Sequence, residues 1–103
     1  MENVDGSFSV VYHSLVVAQD IPRLSREWKV RIKNTIEEKL TVYPEVFGKP
    51  LSRSLAGHRK LRVGEYRVIF VIEKREVKVR AIGHRREIYK IAEKRLSKYF
   101  SPQ

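Results

Sequence analysis

The chain has 103 residues, no cysteine, and 22 Lys and Arg against 12 Asp and Glu, for a formal charge of +10. That length predicts one domain over residues 1–103 with a single core, and the missing cysteines exclude disulfides, thiolate zinc sites and thiol nucleophiles. A 42% hydrophobic fraction beside 33% charged residues is a folding composition, no apolar run approaches the roughly 20 residues that cross a bilayer, and Met1 to Val11 has no basic leader, so the expected setting is the cytoplasm with no membrane partner.

Phe8 to Tyr12 is a β-branched and aromatic run that predicts a strand, after which Ser14 caps a short helix from Leu15 to about Ile21. Pro22 ends or bends that helix. Leu24, Trp28, Ile32, Ile36 and Leu40 then recur every four positions behind a Ser25 cap, predicting a second helix that forms a hairpin with the first and turns this stripe to the core. Thr41 to Gly57 carries Pro44, Gly48 and Pro50 around isolated Phe47, Leu51 and Leu55, and reads as a loop pinned by those apolar residues. Strands follow at about 58–63, 66–73 and 76–82, joined at Val63-Gly64-Glu65 and at Lys74-Arg75, so antiparallel hairpins are expected. In the middle strand Tyr66, Val68, Phe70 and Ile72 share one face, and Arg67, Ile69, Val71 and Glu73 the other. One face must meet the helices while the other stays partly open. A last helix from about Arg86 to Phe100 lines up Ile88, Ile91, Ala92, Leu96 and Phe100. The expected fold is α+β: an N-terminal strand and two-helix hairpin packed on an antiparallel sheet of three further strands, with a C-terminal helix.

Charge is segregated along this order. From Arg53 to Gln103 there are fifteen Lys/Arg and five Asp/Glu, whereas the first 52 residues hold seven of each. Cations on strand faces, where Thr or Ser would satisfy the alternation, repel one another without aiding folding. A polyanionic partner is implied, with RNA the first candidate. No zinc-hydrolase motif, nucleophile elbow or phosphate-binding glycine loop is present, so neither a metal site nor a cofactor is expected.

The strings LRVGEYRVIF and IGHRREIY, within the order β-α-α-β-β-β-α, resemble the RelE/ParE toxin superfamily over nearly the whole chain, from VVYHSLVVAQDIPRL through IKNTIEEKL and FGKPLSRSLAGHRKLRVGEYR to GHRREIY. Within it the chain is most similar to RelE-like messenger-RNA interferases. The resemblance implies the toxin of a type II toxin-antitoxin system: a metal-independent endoribonuclease that cuts mRNA in the ribosomal A site. Such an enzyme lets the RNA's own 2′-hydroxyl attack the adjacent phosphate, and supplies a base, charge for the phosphorane and help for the leaving 5′-oxygen.

By the same resemblance Arg67 contacts the scissile phosphate, Arg85 serves the transition state or leaving group, and Tyr89 stacks on or orients a base. Read as plain structure, Arg67 would pair with Glu73 or Glu76, Arg85 would be a solvated charge at a strand end, and Tyr89 would be helix packing. Lys60 matches a family lysine that stabilises charge or acts as base. His58 stands where some members carry a second lysine; a base role suits its titration range, and a surface residue is the alternative. His84 is a candidate partner acid or a residue turned into the sheet, and His13 is structural. Arg59, Arg62, Lys78, Arg80 and Arg86 are expected to hold RNA phosphates, or only to solubilise the protein.

A ParE-like toxin that binds and inhibits DNA gyrase without cutting RNA is the competing function, since such proteins share the YR strand. A plain RNA-binding module fits less well, because the strands lack a stacking pair of surface aromatics. Either toxin implies a cognate antitoxin covering the basic face in a hetero-oligomer, and the nuclease adds the ribosome and mRNA as partners.

Overall fold

A computed structural model of the chain describes residues 7–97. The elements are β1 (Ser9–Tyr12), α1 (Arg26–Thr35), α2 (Pro44–Phe47), β2 (Lys49–Pro50), β3 (Arg59–Val63), β4 (Tyr66–Glu73), β5 (Glu76–His84) and α3 (Ile88–Ser97). The strands form one sheet in the order β1-β5-β4-β3-β2, with β1 parallel to β5 and every other pair antiparallel. The predicted hairpins are therefore present, and two edge strands extend them.

The first predicted helix is a π-helical turn over Val16–Asp20 followed by a 3-10 turn over Ile21–Arg23, which accommodates Pro22. Ser25 caps α1 by accepting from the Trp28 N–H at 3.3 Å. Four residues overshoot a full α-helical turn by about 40°, so a strict four-residue repeat would carry Leu40 away from the core. A second π-helical stretch, Ile36–Leu40, ends the helix with wider turns that take up the excess, and Ile36 and Leu40 are both buried.

Both faces of the sheet are apolar at their centre. Val68 and Phe70 of β4, Leu61 and Val63 of β3, and Val77 and Val79 of β5 pack against Ile32, Ile36 and Leu40. On the other face Ile69 and Ala81 pack against Ile88, Ala92 and Leu96 of α3, with Leu55 beside them. Ile69 pairs with Ala81 whereas Phe70 pairs with Val79, so Arg80 is an extra, bulged residue. The bulge shifts the alternation of β5, which is why Val79 and Ile82 face the α1 side together while Ala81 faces α3.

The predicted 41–57 loop is more ordered than its prolines and glycine suggest. Pro44 starts α2, and the two residues of β2 pair with the start of β3. Gly48 makes this possible: a Cβ there would stand 2.2 Å from Phe70 Cζ, so only glycine lets the segment lie this close to the core. The last helix begins at Ile88, two residues later than expected, because Glu87 N–H closes a turn onto the His84 carbonyl. Phe100 lies outside the described residues.

One buried ion pair ties these layers together. Asp20 accepts two hydrogen bonds from the Arg95 guanidinium, at 2.9 and 3.0 Å, and a third from the Ile82 N–H at 2.9 Å. Arg95 also donates to the Arg80 carbonyl at 2.8 Å, so α3 is clamped to β5 and to the turn after β1. No helix among the described residues is long and apolar enough to cross a membrane.

Candidate functional site

α3 covers only part of its sheet face, and the remainder is cationic. Strand alternation turns Lys60, Arg62 and Arg67 to the α3 side, beyond the edge of that helix. Together with Lys49 and Phe47 they line a cleft of about 170 Å³ between β2, β3 and β4. Within it Lys49 lies directly opposite Lys60, and Arg62 directly opposite Arg67. Like charges so placed destabilise a sheet. Among the described residues no carboxylate lies within ion-pair distance of any of the four.

Tyr89 completes this surface. It sits in the first turn of α3, partly buried against the helix's apolar cluster, and the Lys60 ammonium lies 5.6 Å from its ring centroid. The structure thus brings together Lys60, Arg67 and Tyr89 of the expected catalytic group.

Arg67 is nearly buried, and its Nη1 donates to the carbonyls of Gly64 and Tyr66, each at 2.9 Å. The cross-strand pair with Glu73 or Glu76 does not form, because those residues stand at the far end of the β4–β5 hairpin. The same Gly64-Glu65 turn holds Arg85. Its N–H donates to the Glu65 carbonyl at 2.8 Å, and its Nε lies 3.1 Å from the Glu65 carboxylate. Arg85 is half exposed and does not line the cleft. One turn therefore positions both arginines, and Glu65 is a residue that strand pattern alone gave no reason to single out.

His58 is almost fully buried, not on the surface, and neither ring nitrogen has a hydrogen-bond partner. Burial pushes its pKa below the usual histidine value, the Arg80 charge adds to the effect, and the nearby Leu55 and Ala56 carbonyls oppose it. Its backbone pins the preceding segment: the N–H donates to the Leu55 carbonyl and the carbonyl accepts from Leu51. His84 is turned to the α1 side, where its ring meets Tyr66 edge-on at 5.6 Å and its Nδ1 accepts from the Arg86 N–H. It is therefore on the opposite side of the sheet from Lys60. His13 accepts the Leu15 N–H at 2.9 Å, a local capping contact, and burial is the main reason its pKa is lowered.

The five expected phosphate contacts divide. Arg62 lines the cleft. Arg59 is turned away, and its guanidinium donates to the Gly48 carbonyl at 2.8 Å, anchoring β2. Lys78 pairs with Glu73 at 2.7 Å, which raises the lysine pKa and lowers the glutamate's, chiefly through that hydrogen bond. Arg80 is the bulge residue, half-buried near His58. Arg86 is exposed on the turn before α3. Lys49 and Phe47 were missed in the sequence because they fall in the segment expected to be a loop. Among the described residues no cluster of three or more His, Cys, Asp or Glu is arranged to hold a metal ion.

Comparison with known proteins agrees with this architecture. The family model of the ParE toxin of type II toxin-antitoxin systems, parDE, matches residues 14–89. No curated protein matches the sequence. Among solved structures, the RelBE2 toxin-antitoxin complex of Mycobacterium tuberculosis contains a chain that is 26% identical, with a TM-score of 0.71 over 77% of this chain and 92% of that one. A chain of the Methanococcus jannaschii RelB-RelE complex is 21% identical, with a TM-score of 0.59 over 79% and 96%. For the Escherichia coli RelBE complex the values are 17% and 0.59, over 76% and 96%. The chain belongs to the ParE toxin family, within the RelE/ParE superfamily of type II toxin-antitoxin toxins.

Proposed function

We propose that this toxin is an endoribonuclease that cuts mRNA, in the ribosomal A site, by attack of a 2′-hydroxyl on the adjacent phosphate. The observation that carries this reading is the cleft in which Lys60 and Arg67 converge beside Tyr89, with two like-charged pairs held face to face. Such repulsion is relieved when a polyanion binds. In the reaction a base takes the 2′-hydroxyl proton, the 2′-oxygen attacks phosphorus, and the bond to the 5′-oxygen breaks. Water returns a proton to the departing 5′-oxygen, so a 2′,3′-cyclic phosphate and a 5′-hydroxyl result.

Lys60 lines the cleft beside Tyr89, and it serves as base or charge stabiliser. Arg67 and Arg62 hold the phosphate oxygens, and Tyr89 orients a neighbouring base. Arg85 stabilises the departing oxygen once it leaves the Glu65 carboxylate. His58, with its ring enclosed, pins the segment before β3 through its backbone bonds to Leu51 and Leu55. Docking on the ribosome in the cytoplasm would fix the mRNA geometry, so these modest catalytic groups suffice. A cognate antitoxin, as in the RelBE complexes, would shield the same cationic surface.

The test is 5′-end mapping of cellular transcripts after brief induction of wild type and an Arg67→Ala, Arg85→Ala double variant. Cuts inside reading frames, with 5′-hydroxyl ends and absent from the variant, are expected. The gyrase-binding reading draws on the ParE family match. Intact transcripts with stalled replication would replace the nuclease with it.

A further inference from the structure

The strands themselves offer no aromatic platform for bases, yet the borders of the cationic cleft supply two rings from outside the sheet. Tyr89 stands at one border, against Lys60. Phe47 stands at another: it ends α2, is 40% exposed, and lines the cleft with Lys49. Its position is built. Gly48 seats the next residue against core Phe70 where no Cβ would fit, and the Arg59 guanidinium holds the Gly48 carbonyl from the other side of the sheet. The ring also carries the Lys39 ammonium 5.0 Å from its centroid, which further fixes it.

A phenylalanine that stays 40% exposed beside cations with no carboxylate partner among the described residues matches what proteins that hold single strands combine: cations that track phosphates and rings that stack bases. We infer that Phe47 and Lys49 form a nucleotide subsite for single-stranded RNA, in which Phe47 stacks a base and Lys49 neutralises a backbone phosphate running on to Lys60, Arg62 and Arg67. Tyr89 then takes a base on the other side of the same stretch, so the strand lies across the cleft and not along β4. This inference rests on the nuclease reading for its substrate class and adds a positioning site outside the expected catalytic set.

The experiment is fluorescence anisotropy of the full chain with a labelled 2′-O-methyl RNA oligonucleotide, which cannot be cut, at several salt concentrations. Phe47→Leu keeps an apolar side chain against the loop and removes the stacking face; it should weaken binding by about tenfold, and Phe47→Tyr should restore it. Lys49→Gln should lower the salt slope by about 0.7, the single-strand value for one phosphate contact. Unchanged affinity in Phe47→Leu with an unchanged salt slope in Lys49→Gln would overturn the subsite. So would Phe47-independent oligonucleotide binding coupled with Phe47-dependent binding of a polyglutamate peptide, since the cleft would then be an acidic-peptide site. Phe47-dependent binding in a protein that cuts no transcript would leave the subsite standing and remove the nuclease reading. Transcript cleavage with Phe47-independent binding would do the reverse.

Discussion

Gly64→Ala is the sharpest test of how the site is held. Gly64 has φ of +59°, and the left-handed region costs a residue with a Cβ roughly 1–2 kcal/mol. A Cβ at this position would also stand 2.5 Å from Trp28 Cη2 and 3.1 Å from Cζ3. Trp28 has little room to retreat, because its ring lies 4.7 Å from that of Tyr66 and carries the Arg31 guanidinium at 4.7 Å. Crowding of this kind costs about 1–3 kcal/mol, so the total is about 2–5 kcal/mol. Gly57→Ala separates the two contributions. Gly57 has φ of +91° but nothing within 4 Å of its added Cβ, so it should lose only the backbone part, about 1–2 kcal/mol. Urea unfolding of both variants, with unchanged m-values, measures the difference. Equal losses would refute the Trp28 contact as a constraint. The same turn holds Arg67 and Arg85, so under the proposed nuclease function folded Gly64→Ala should also cut RNA less well than folded Gly57→Ala.

The Asp20–Arg95 pair predicts a non-additive result. Arg95→Met leaves Asp20 as a buried carboxylate with only the Ile82 N–H, and should cost about 3–5 kcal/mol. Adding Asp20→Leu should recover part of that loss, leaving the unpaired Ile82 N–H at about 1 kcal/mol; a double variant less stable than the single one would contradict this. His58 and His13 predict the pH dependence. Their folded pKa values lie below the unfolded value of about 6.5, so between the two the unfolded chain binds more protons, and stability is lost as pH falls below about 6.5. Denaturation at about pH 8 and about pH 5 should show the decline, and His58→Phe should flatten it; an unaltered slope would remove His58 as a contributor.

The meander was legible because its signals are local. Alternation fixes which side chains share a face, and the two short connections leave few alternatives to hairpins. The apolar stripe of α1 was legible for the same reason, whereas its π-helical ending was not marked by any one residue and follows from reconciling a four-residue repeat with the sheet. The cleft was half legible. Lys60 and Arg62 share a strand face by alternation, and Arg67 and Tyr89 are marked by the family resemblance, but Lys49 and Phe47 enter only because Gly48 contacts Phe70, a meeting of residues 22 apart in the chain. Arg59 illustrates the converse. By composition it belongs with its basic neighbours, yet one step of alternation turns it to the opposite face and into a structural bond. Exposure was equally hidden for His58, which is enclosed although it precedes a strand of alternating cations.

The face-to-face cations permit a final discrimination between a binding surface and mere solubilising charge, because the two make opposite predictions for a charge reversal. Lys49→Glu would place a carboxylate directly opposite Lys60. Cross-strand pairs of opposite charge contribute about 0.2–1 kcal/mol and like pairs oppose folding, so the variant should be more stable than wild type by up to about 1 kcal/mol. If the cleft binds RNA, the same change places a repelling charge beside the phosphates, and oligonucleotide affinity should fall with a lower salt slope. Gain in one property with loss in the other is the expected pattern, read by thermal unfolding and anisotropy on the same samples. Solubilising charge predicts the stability gain with unchanged binding. A loss of stability would instead mean that Lys49 takes part in the fold, and the repulsion assigned to this pair would be wrong.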